Sequence, residues 1–269
     1  MKKRIFFIFL TSFFILSSQE IESVKLPGKL KETSGLEYLN KDFITINDKG
    51  NDPIVYRFDT SGGILSEIIT KGKNIDWEDL ASDNNGNLYI ADTGNNNYSR
   101  RKLKILIVRT TSNYFNVIGS MILKINKEDK VNIEAITVVG TKLHLFNKND
   151  SLTSVYEIPI HKGTYSLNDY KTQTLKTNIF ITGADYDITT DTMLLSGYDL
   201  NKNSFINVVR NYRSVQKIYS LTLLKNIKQI EGIKLVGDYI YFTNEKTKSG
   251  SAKLNRIPFH QIVNHKSNN

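Results

Sequence analysis

An acidic residue opens each of five similar segments along this 269-residue chain. Each segment continues as a short apolar stretch, a turn, and a second apolar stretch that ends near Asn or Asp. The acidic residues are Glu37, Glu78, Glu134, Asp185 and Glu231, at steps of 41, 56, 51 and 46 residues. Aligned segments stack these residues in one column. Carboxylates that converge raise one another's pKa unless a cation screens them, so the column predicts a metal site.

Calcium is the cation that suits such a column, because Ca²⁺ takes roughly six to eight oxygen ligands in irregular geometry. The chain has no Cys, and none of its four His residues has the spacing of a zinc or copper site. The alternative is that the acidic residues simply face water in a channel, and that Asn and Asp after a strand are ordinary turn formers. The sequence leaves both interpretations open.

The spacing of the segments matches the period of about 40–50 residues that is typical of β-propeller blades. In the first blade we predict four strands, at residues 34–39, 43–47, 54–59 and 64–70. The fifth blade lacks a fourth strand, and residues 23–31 are predicted to supply it and close the ring. We therefore predict an all-β, five-bladed propeller closed by an N-terminal strand. A six-bladed ring is the alternative, and it needs a further repeat between Glu78 and Asp185.

Polar residues at the ends of the second strands are predicted to join the acidic column on one face. In an antiparallel pair, the start of the first strand lies beside the end of the second. The predicted ligand-binding rim consists of Asp48, Asp79, Asp92, Asn95, Asn147, Asp199 and Asn244.

Residues 1–19 have the order of a secretory signal peptide: a basic start, the apolar run 5–16, and a small polar end. The run is shorter than the span of about 20 residues that a membrane helix needs. An uncleaved membrane anchor is the alternative. We predict export to the periplasm, the cell surface or the medium, with residues 20–265 as one propeller domain.

The formal charge is +9, and most Lys and Arg residues are scattered along the chain. Only residues 100–104 form a dense basic cluster, which could meet an anionic partner. No aromatic stacking platform accompanies the charge, so we predict no nucleic-acid binding. The expected partner is a small molecule or an exported protein, and we expect a monomer with no stable membrane span after cleavage of the signal.

Residues 32–96 contain five motifs: Ser34-Gly35-Leu36-Glu37, Asn47-Asp48, Tyr56-Arg57-Phe58-Asp59, Asp76-Trp77-Glu78-Asp79-Leu80-Ala81 and Leu88-Tyr89-Ile90-Ala91-Asp92. On these motifs the chain resembles the SdiA-regulated family of exported bacterial propellers and their NHL-like relatives. The resemblance implies a calcium-binding propeller outside the cytoplasm with no settled activity. Asp185, in place of Glu, departs from the family pattern.

A weaker likeness is to five-bladed, calcium-dependent nucleotidases of the apyrase type. It is carried by Ser34-Gly35-Leu36-Glu37 and Ile230-Glu231-Gly232-Ile233, which are similar to the segments that hold a central calcium in those enzymes. Their nucleotide-binding arginines and acids have no evident counterparts here, so the activity does not follow from the likeness.

Two functions compete. The first is a non-catalytic exported binding module with a central acidic ring. The second is a calcium-dependent hydrolase of phosphate esters, esters or lactones, in which Glu78, Asp79 or Asp92 would activate water. No Gly-x-Ser-x-Gly motif supports a serine nucleophile. A glycosidase is a third possibility, without identifiable aromatic subsites. A deep open pocket would favour the hydrolase or the glycosidase, and a plugged channel would favour the binding module.

Overall fold

The computed structural model describes residues 20–110, 115–149, 152–214, 217–248 and 250–263. The predicted signal peptide, residues 1–19, lies outside the described residues. The strands of the described residues, in chain order, are β1 (Glu22–Lys25), β2 (Thr33–Leu39), β3 (Asp42–Asn47), β4 (Ile54–Phe58), β5 (Ile64–Ile69), β6 (Trp77–Ser82), β7 (Asn87–Asp92), β8 (Lys102–Thr110), β9 (Phe115–Lys124), β10 (Ile133–Val139), β11 (Lys142–Asn147), β12 (Leu152–Pro159), β13 (Gly163–Ser166), β14 (Lys171–Lys176), β15 (Phe180–Asp187), β16 (Thr192–Tyr198), β17 (Ser204–Arg210), β18 (Lys217–Leu224), β19 (Ile230–Val236), β20 (Tyr239–Asn244) and β21 (Lys253–Pro258). Two 3₁₀ helices, Gly28–Leu30 and Leu167–Tyr170, and one α-helix, α1 (Phe259–Val263), accompany them.

These strands form five antiparallel blades, which confirms the five-bladed propeller. Each blade runs outward from an inner strand, and the inner strands are β2, β6, β10, β15 and β19. Every inner strand contacts the inner strand of the next blade, and β19 contacts β2, so the ring is closed around a central channel. A sequence repeat therefore becomes a ring of equivalent positions, and residues that open the inner strands meet at one end of the channel.

The N-terminal strand closes the ring as predicted. β1 pairs antiparallel with β21, with Val24 opposite Leu254, and becomes the outer strand of the fifth blade. The rest of the predicted segment turns away: Leu26 and Leu30 are buried in the cluster that also holds Phe43 and Phe58 of the first blade. This closure ties the N-terminal part of the fold to its last strand and leaves no inner edge exposed.

One strand was not predicted from the sequence. β13 leaves the third blade and pairs in parallel with β9, the outer strand of the second blade, with Gly163 opposite Met121. The chain then returns as β14 to complete the third blade. The second blade therefore has five strands, and the edge of β9 is covered.

The core lies between neighbouring blades. Trp77 is fully buried and packs in a cluster with Ile44 and Ile46 of the first blade and Leu80 and Ile90 of its own. The only Trp of the chain is therefore a core anchor, not a stacking platform at the rim. Within the part of the chain that is described, no helix has the length and apolar character needed to cross a membrane.

Candidate metal centre

A β-bulge in every inner strand decides which residues share a level of the channel. In each blade the pairing of the inner strand with the second strand shifts near its start. The reference pairs next to the shift are Thr33 with Asn47, Trp77 with Asp92, Ile133 with Asn147, Ile181 with Gly197 and Ile230 with Asn244. Counting from these pairs gives two sets of five equivalent residues, one at the start of the bulge and one beyond it. An extra residue in a bulged strand re-aims the side chains beyond it.

The first set, which we call the upper layer, directly follows these reference pairs and consists of Ser34, Glu78, Glu134, Thr182 and Glu231. The second set, the lower layer, lies three residues further along and consists of Glu37, Ala81, Thr137, Asp185 and Lys234. The expectation that all five acidic residues form one column is therefore wrong. Glu78, Glu134 and Glu231 share one layer, whereas Glu37 and Asp185 lie in the other.

Lys234 bridges the two acidic residues of the lower layer. Its ammonium nitrogen lies 2.9 Å from Glu37 Oε2 and 2.8 Å from Asp185 Oδ1. The remaining carboxylate oxygens accept backbone N–H groups, from Ser82 to Glu37 (3.0 Å) and from Leu235 to Asp185 (2.8 Å). Burial acts to lower the pKa of Lys234, but the charges of Asp185 and Glu37 outweigh it and raise that pKa. Both acids are therefore satisfied by the chain itself, and the bridge joins the fourth, fifth and first blades.

The upper layer is not balanced in this way. Glu134 accepts hydrogen bonds from Lys148 Nζ (2.8 Å) and Asn132 Nδ2 (2.7 Å). Among the described residues, no N–H or hydroxyl group donates to the side chain of Glu78 or Glu231, and the polar neighbour of Glu78 is the carboxyl group of Glu134. Two carboxyl groups inside the ring thus lack a donor.

Burial is the main cause of the unusual titration of these two groups. It raises the pKa of Glu78 well above its ordinary value, with further contributions from the charges of Glu134, Asp48 and Asp76. Burial also raises the pKa of Glu231, with the charge of Glu245 next, although Lys148 opposes the shift. Without a cation, both groups therefore bind a proton more readily than an exposed glutamate does.

The two hydroxyl groups of the upper layer hold neighbouring blades together. Ser34 Oγ donates to the backbone carbonyl of Glu78, and Thr182 Oγ1 donates to that of Ile230 at 2.6 Å. Each hydroxyl oxygen keeps lone pairs that could accept a further contact. Gly183 shows how tightly the inner strands pack, since a Cβ atom there would lie 2.1 Å from the carbonyl oxygen of Glu231.

A second group of carboxylates adjoins Glu78. One oxygen from each of Asp48, Asp76 and Glu78 lies within 4.8 Å of the others. Lys49 Nζ is 3.4 Å from Asp76 Oδ1, an oxygen that makes no hydrogen bond. Burial raises the pKa of Asp48 to about 6, and it raises the pKa of Glu245, further round the ring, to about 7. These acids extend the negative region from the channel to its mouth.

The loop after β7 covers this region. A Cβ atom on Gly94 would lie 2.0 Å from Glu78 Oε1 and 2.4 Å from the carboxyl carbon of Asp76, so any other residue would force these two side chains to shift. Arg100 fixes the loop by donating to the Gly94 carbonyl (2.7 Å) and to Asp92 Oδ1 (2.8 Å). The predicted rim residue Asp92 therefore positions the loop and faces an arginine.

The other predicted rim residues have local partners. Asn95 donates to the carbonyls of Val131 and Arg100, Asn147 accepts the N–H of Asn132, and Asn244 donates to the carbonyl of Glu245. They hold the backbone behind the charged groups. Asp48 is the rim residue that the structure brings to the upper layer.

Asp79 and Asp199 lie away from the channel mouth. Asp79 is buried between blades, where its two carboxylate oxygens accept the N–H groups of Leu80 and Ile136. Asp199 shapes the turn after β16 by accepting the N–H groups of Asn201 and Asn203. Neither is placed where it could share a cation with Glu78.

Four further residues near the acidic groups were not in the predicted set: Ser34, Asp76, Lys148 and Thr182. A signal for Lys148 was available, because it directly follows the Asn that ends a second strand. Ser34 and Thr182 could be found only by aligning the segments on the β-bulge, because they stand where Glu stands in the other three segments of the upper layer.

Comparisons with known proteins support the fold. No family model matches the chain, and no curated protein matches it in sequence. The solved structures that are similar in fold include a putative oxidoreductase (glucose dehydrogenase) from Thermus thermophilus, with 8% identity, a TM-score of 0.54 and coverage of 88% of this chain and 100% of that chain. A PQQ-bound aldose sugar dehydrogenase from Streptomyces coelicolor has 9% identity and a TM-score of 0.51, and the match covers 90% of this chain and 99% of that chain. Glutaminyl cyclase from Myxococcus xanthus has 10% identity and a TM-score of 0.54, and the match covers 88% of this chain and 93% of that chain. At these identities the likeness shows the propeller fold alone.

Proposed function

We propose that this chain is an exported β-propeller binding module that holds one calcium ion in the upper layer. Glu78, Glu134 and Glu231 would supply the carboxylates, with Ser34 and Thr182 as the hydroxyl positions of the same layer. Export rests on the predicted signal peptide. The resemblance to the SdiA-regulated and NHL-like propellers agrees with this proposal and remains a prediction.

The main support for the proposal is the pair of carboxyl groups of Glu78 and Glu231. Among the described residues, no N–H or hydroxyl group donates a hydrogen bond to either of them. Burying an ionised carboxylate without a partner is costly, so it must either be protonated or meet a cation. All side-chain donors of the upper layer are oxygen atoms, which is the donor set that calcium prefers. When bound, calcium would neutralise these groups and offer open coordination positions to the oxygen atoms of a ligand.

The chain's own residues prepare this site. Lys148 and Asn132 orient Glu134, while Arg100 and Gly94 hold the loop that lies against Glu78. We leave Glu37 and Asp185 out of the proposed donor set, because Lys234 already pairs with both. The bridge at Lys234 fills part of the channel below the upper layer by joining three neighbouring blades, and this partial filling favours a binding module over an enzyme with a deep central pocket.

The test is thermal unfolding of the mature protein in EDTA and in calcium. Bound calcium stabilises only the folded state, so a concentration of 100 times Kd adds about 2.7 kcal/mol. We expect a rise of several degrees in the wild type and almost none in Glu78→Gln and Glu231→Gln. Glu37→Gln is the matched control from the lower layer, and it should keep the calcium-dependent rise. A rise of equal size in all four proteins would contradict the proposal.

A calcium-dependent hydrolase is the second candidate, and Asp48 is the observation that favours it. Its carboxyl group adjoins Glu78, its pKa of about 6 suits a general base, and it is not paired with a buried cation as Asp92 is. Of the bases predicted from the sequence, Asp79 is held by two backbone N–H groups. Turnover of phosphate esters or lactones that is lost in Asp48→Asn, with calcium binding retained, would favour the enzyme.

A further inference from the structure

A cavity of about 280 Å³ opens beside the upper layer and is lined by Tyr198, Lys202, Lys228, Gln229 and Glu231. It begins where the chain passes from the fourth blade to the fifth. Glu231 belongs to both the cavity and the upper layer, so the cavity is continuous with the proposed metal centre. Its size is at the lower end of the range of about 300–1,000 Å³ for small-molecule sites.

The two lysines of this cavity form no salt bridge among the described residues, and the acid whose charge acts on Lys228, Asp199, lies beyond salt-bridge distance. Among the described residues, no carboxylate oxygen lies within 4 Å of either ammonium group. Other lysines near the channel do have one, as Lys148 and Lys234 show. Two unpaired cations on one cavity wall are a recognition element for a negatively charged group.

Both ammonium groups are held in place by uncharged contacts. Lys202 Nζ lies 4.3 Å from the centre of the Tyr198 ring, within the range of a cation–π contact. Lys228 Nζ donates to the backbone carbonyl of Lys202 at 3.1 Å and to Asn203 Oδ1 at 3.4 Å. These contacts orient the side chains without cancelling their charge.

A third cation approaches from the channel side. Lys148 Nζ lies 5.3 Å from the centre of the same Tyr198 ring and pairs with Glu134 of the upper layer. Tyr198 thus stands between the cavity and the ring of carboxylates. An anionic group in the cavity would have Lys202, Lys228 and Glu231, with its proposed cation, among the lining residues.

We propose that this cavity binds the anionic group of a small ligand, a carboxylate or a phosphate, between Lys202 and Lys228, with Glu231 and its cation as the second contact. This inference rests on the proposed function and specifies the ligand that the module would take. An uncharged ligand would leave both lysines unpaired in the complex, and a cationic one would be repelled by them.

The test uses isothermal titration of the calcium-loaded mature protein with phenyl phosphate and with benzoate, and benzyl alcohol is the uncharged probe. We expect one of the two anions to bind with one site per chain and benzyl alcohol not to bind. The stronger anion identifies the source of the charge. In the double variant Lys202→Met, Lys228→Met we expect the affinity to fall about tenfold or more, because two charge-assisted contacts are lost. Lys225→Met, exposed and outside the cavity, is the matched control and should bind as the wild type does.

Calcium titrations of the same three proteins separate this inference from the proposed function. Unchanged or slightly tighter calcium binding in the double variant, with weakened anion binding, supports both. Anion binding that depends on the lysines without any calcium binding would contradict the metal centre but retain the anion site. No binding of either anion to the wild type, or equal binding by the double variant, would overturn the inference.

Discussion

Removal of the Lys234 ammonium group should destabilise the propeller through the lower layer. The variant Lys234→Met keeps a long unbranched side chain but leaves Glu37 and Asp185 without the cation that lies 2.9 and 2.8 Å away. Removing one partner of a buried ion pair costs about 3–5 kcal/mol. The Lys234 side chain keeps 19% of its surface exposed to the channel, and both acids retain backbone donors, so we expect the lower end, about 3 kcal/mol. For a chain of this size that corresponds to a fall of about 6–12 °C in Tm.

Urea unfolding at pH 8 measures this effect. The triple variant Glu37→Gln, Asp185→Asn, Lys234→Met should recover part of the loss. A loss below about 1 kcal/mol at pH 8, the size of an exposed ion pair, would refute the account of the lower layer.

Two further predictions concern the upper layer. Without calcium, the free energy of unfolding should increase as the pH falls from about 8 to about 5. The folded state raises the pKa of Glu78 and Glu231, and it raises the pKa of Asp48 to about 6 and that of Glu245 to about 7. A carboxyl group with a raised pKa binds its proton more tightly in the folded state, so protonation stabilises the fold. Urea unfolding in EDTA measures this slope, and a slope of opposite sign would contradict the burial of these acids. Gly94→Ala should destabilise the protein by about 1–3 kcal/mol and weaken calcium binding, because its Cβ atom would displace Glu78 and Asp76. Ser99→Ala in the same loop is the control, and equal calcium affinity in both variants would show that the loop does not shape the site.

The blade count and the closure of the ring could be predicted from the sequence, because both depend on the repeat. Five segments with strand, turn and strand patterns predicted five blades, and a missing last strand predicted that the N-terminal segment would complete the ring. The position of Trp77 in the core follows from its place at the start of an inner strand. β13 could not be predicted, because a four-residue parallel pairing leaves no periodic pattern.

The layers of the channel could not be predicted from the sequence. The position of the β-bulge decides which residues share a layer, and the position of the acidic residue in each segment does not. In the first segment Ser34-Gly35-Leu36-Glu37 puts its acid four residues after Thr33, whereas Glu134 directly follows Ile133. An alignment on the acidic residue joins these two positions, although they lie three residues apart in the fold. Lys234 shows the difference most clearly, because it shares a layer with Glu37 and lies three residues beyond Glu231.

Calcium binding by direct titration tests the central claim, that the upper layer is a metal site and the lower layer is not. The proteins to compare are the wild type, Glu78→Gln, Glu231→Gln and Glu37→Gln, each first freed of metal with EDTA. The account predicts one calcium ion per chain in the wild type and in Glu37→Gln, with an affinity at least about tenfold lower in the two upper-layer variants. An absence of calcium binding to the wild type, or a loss in Glu37→Gln equal to that in Glu78→Gln, would contradict it.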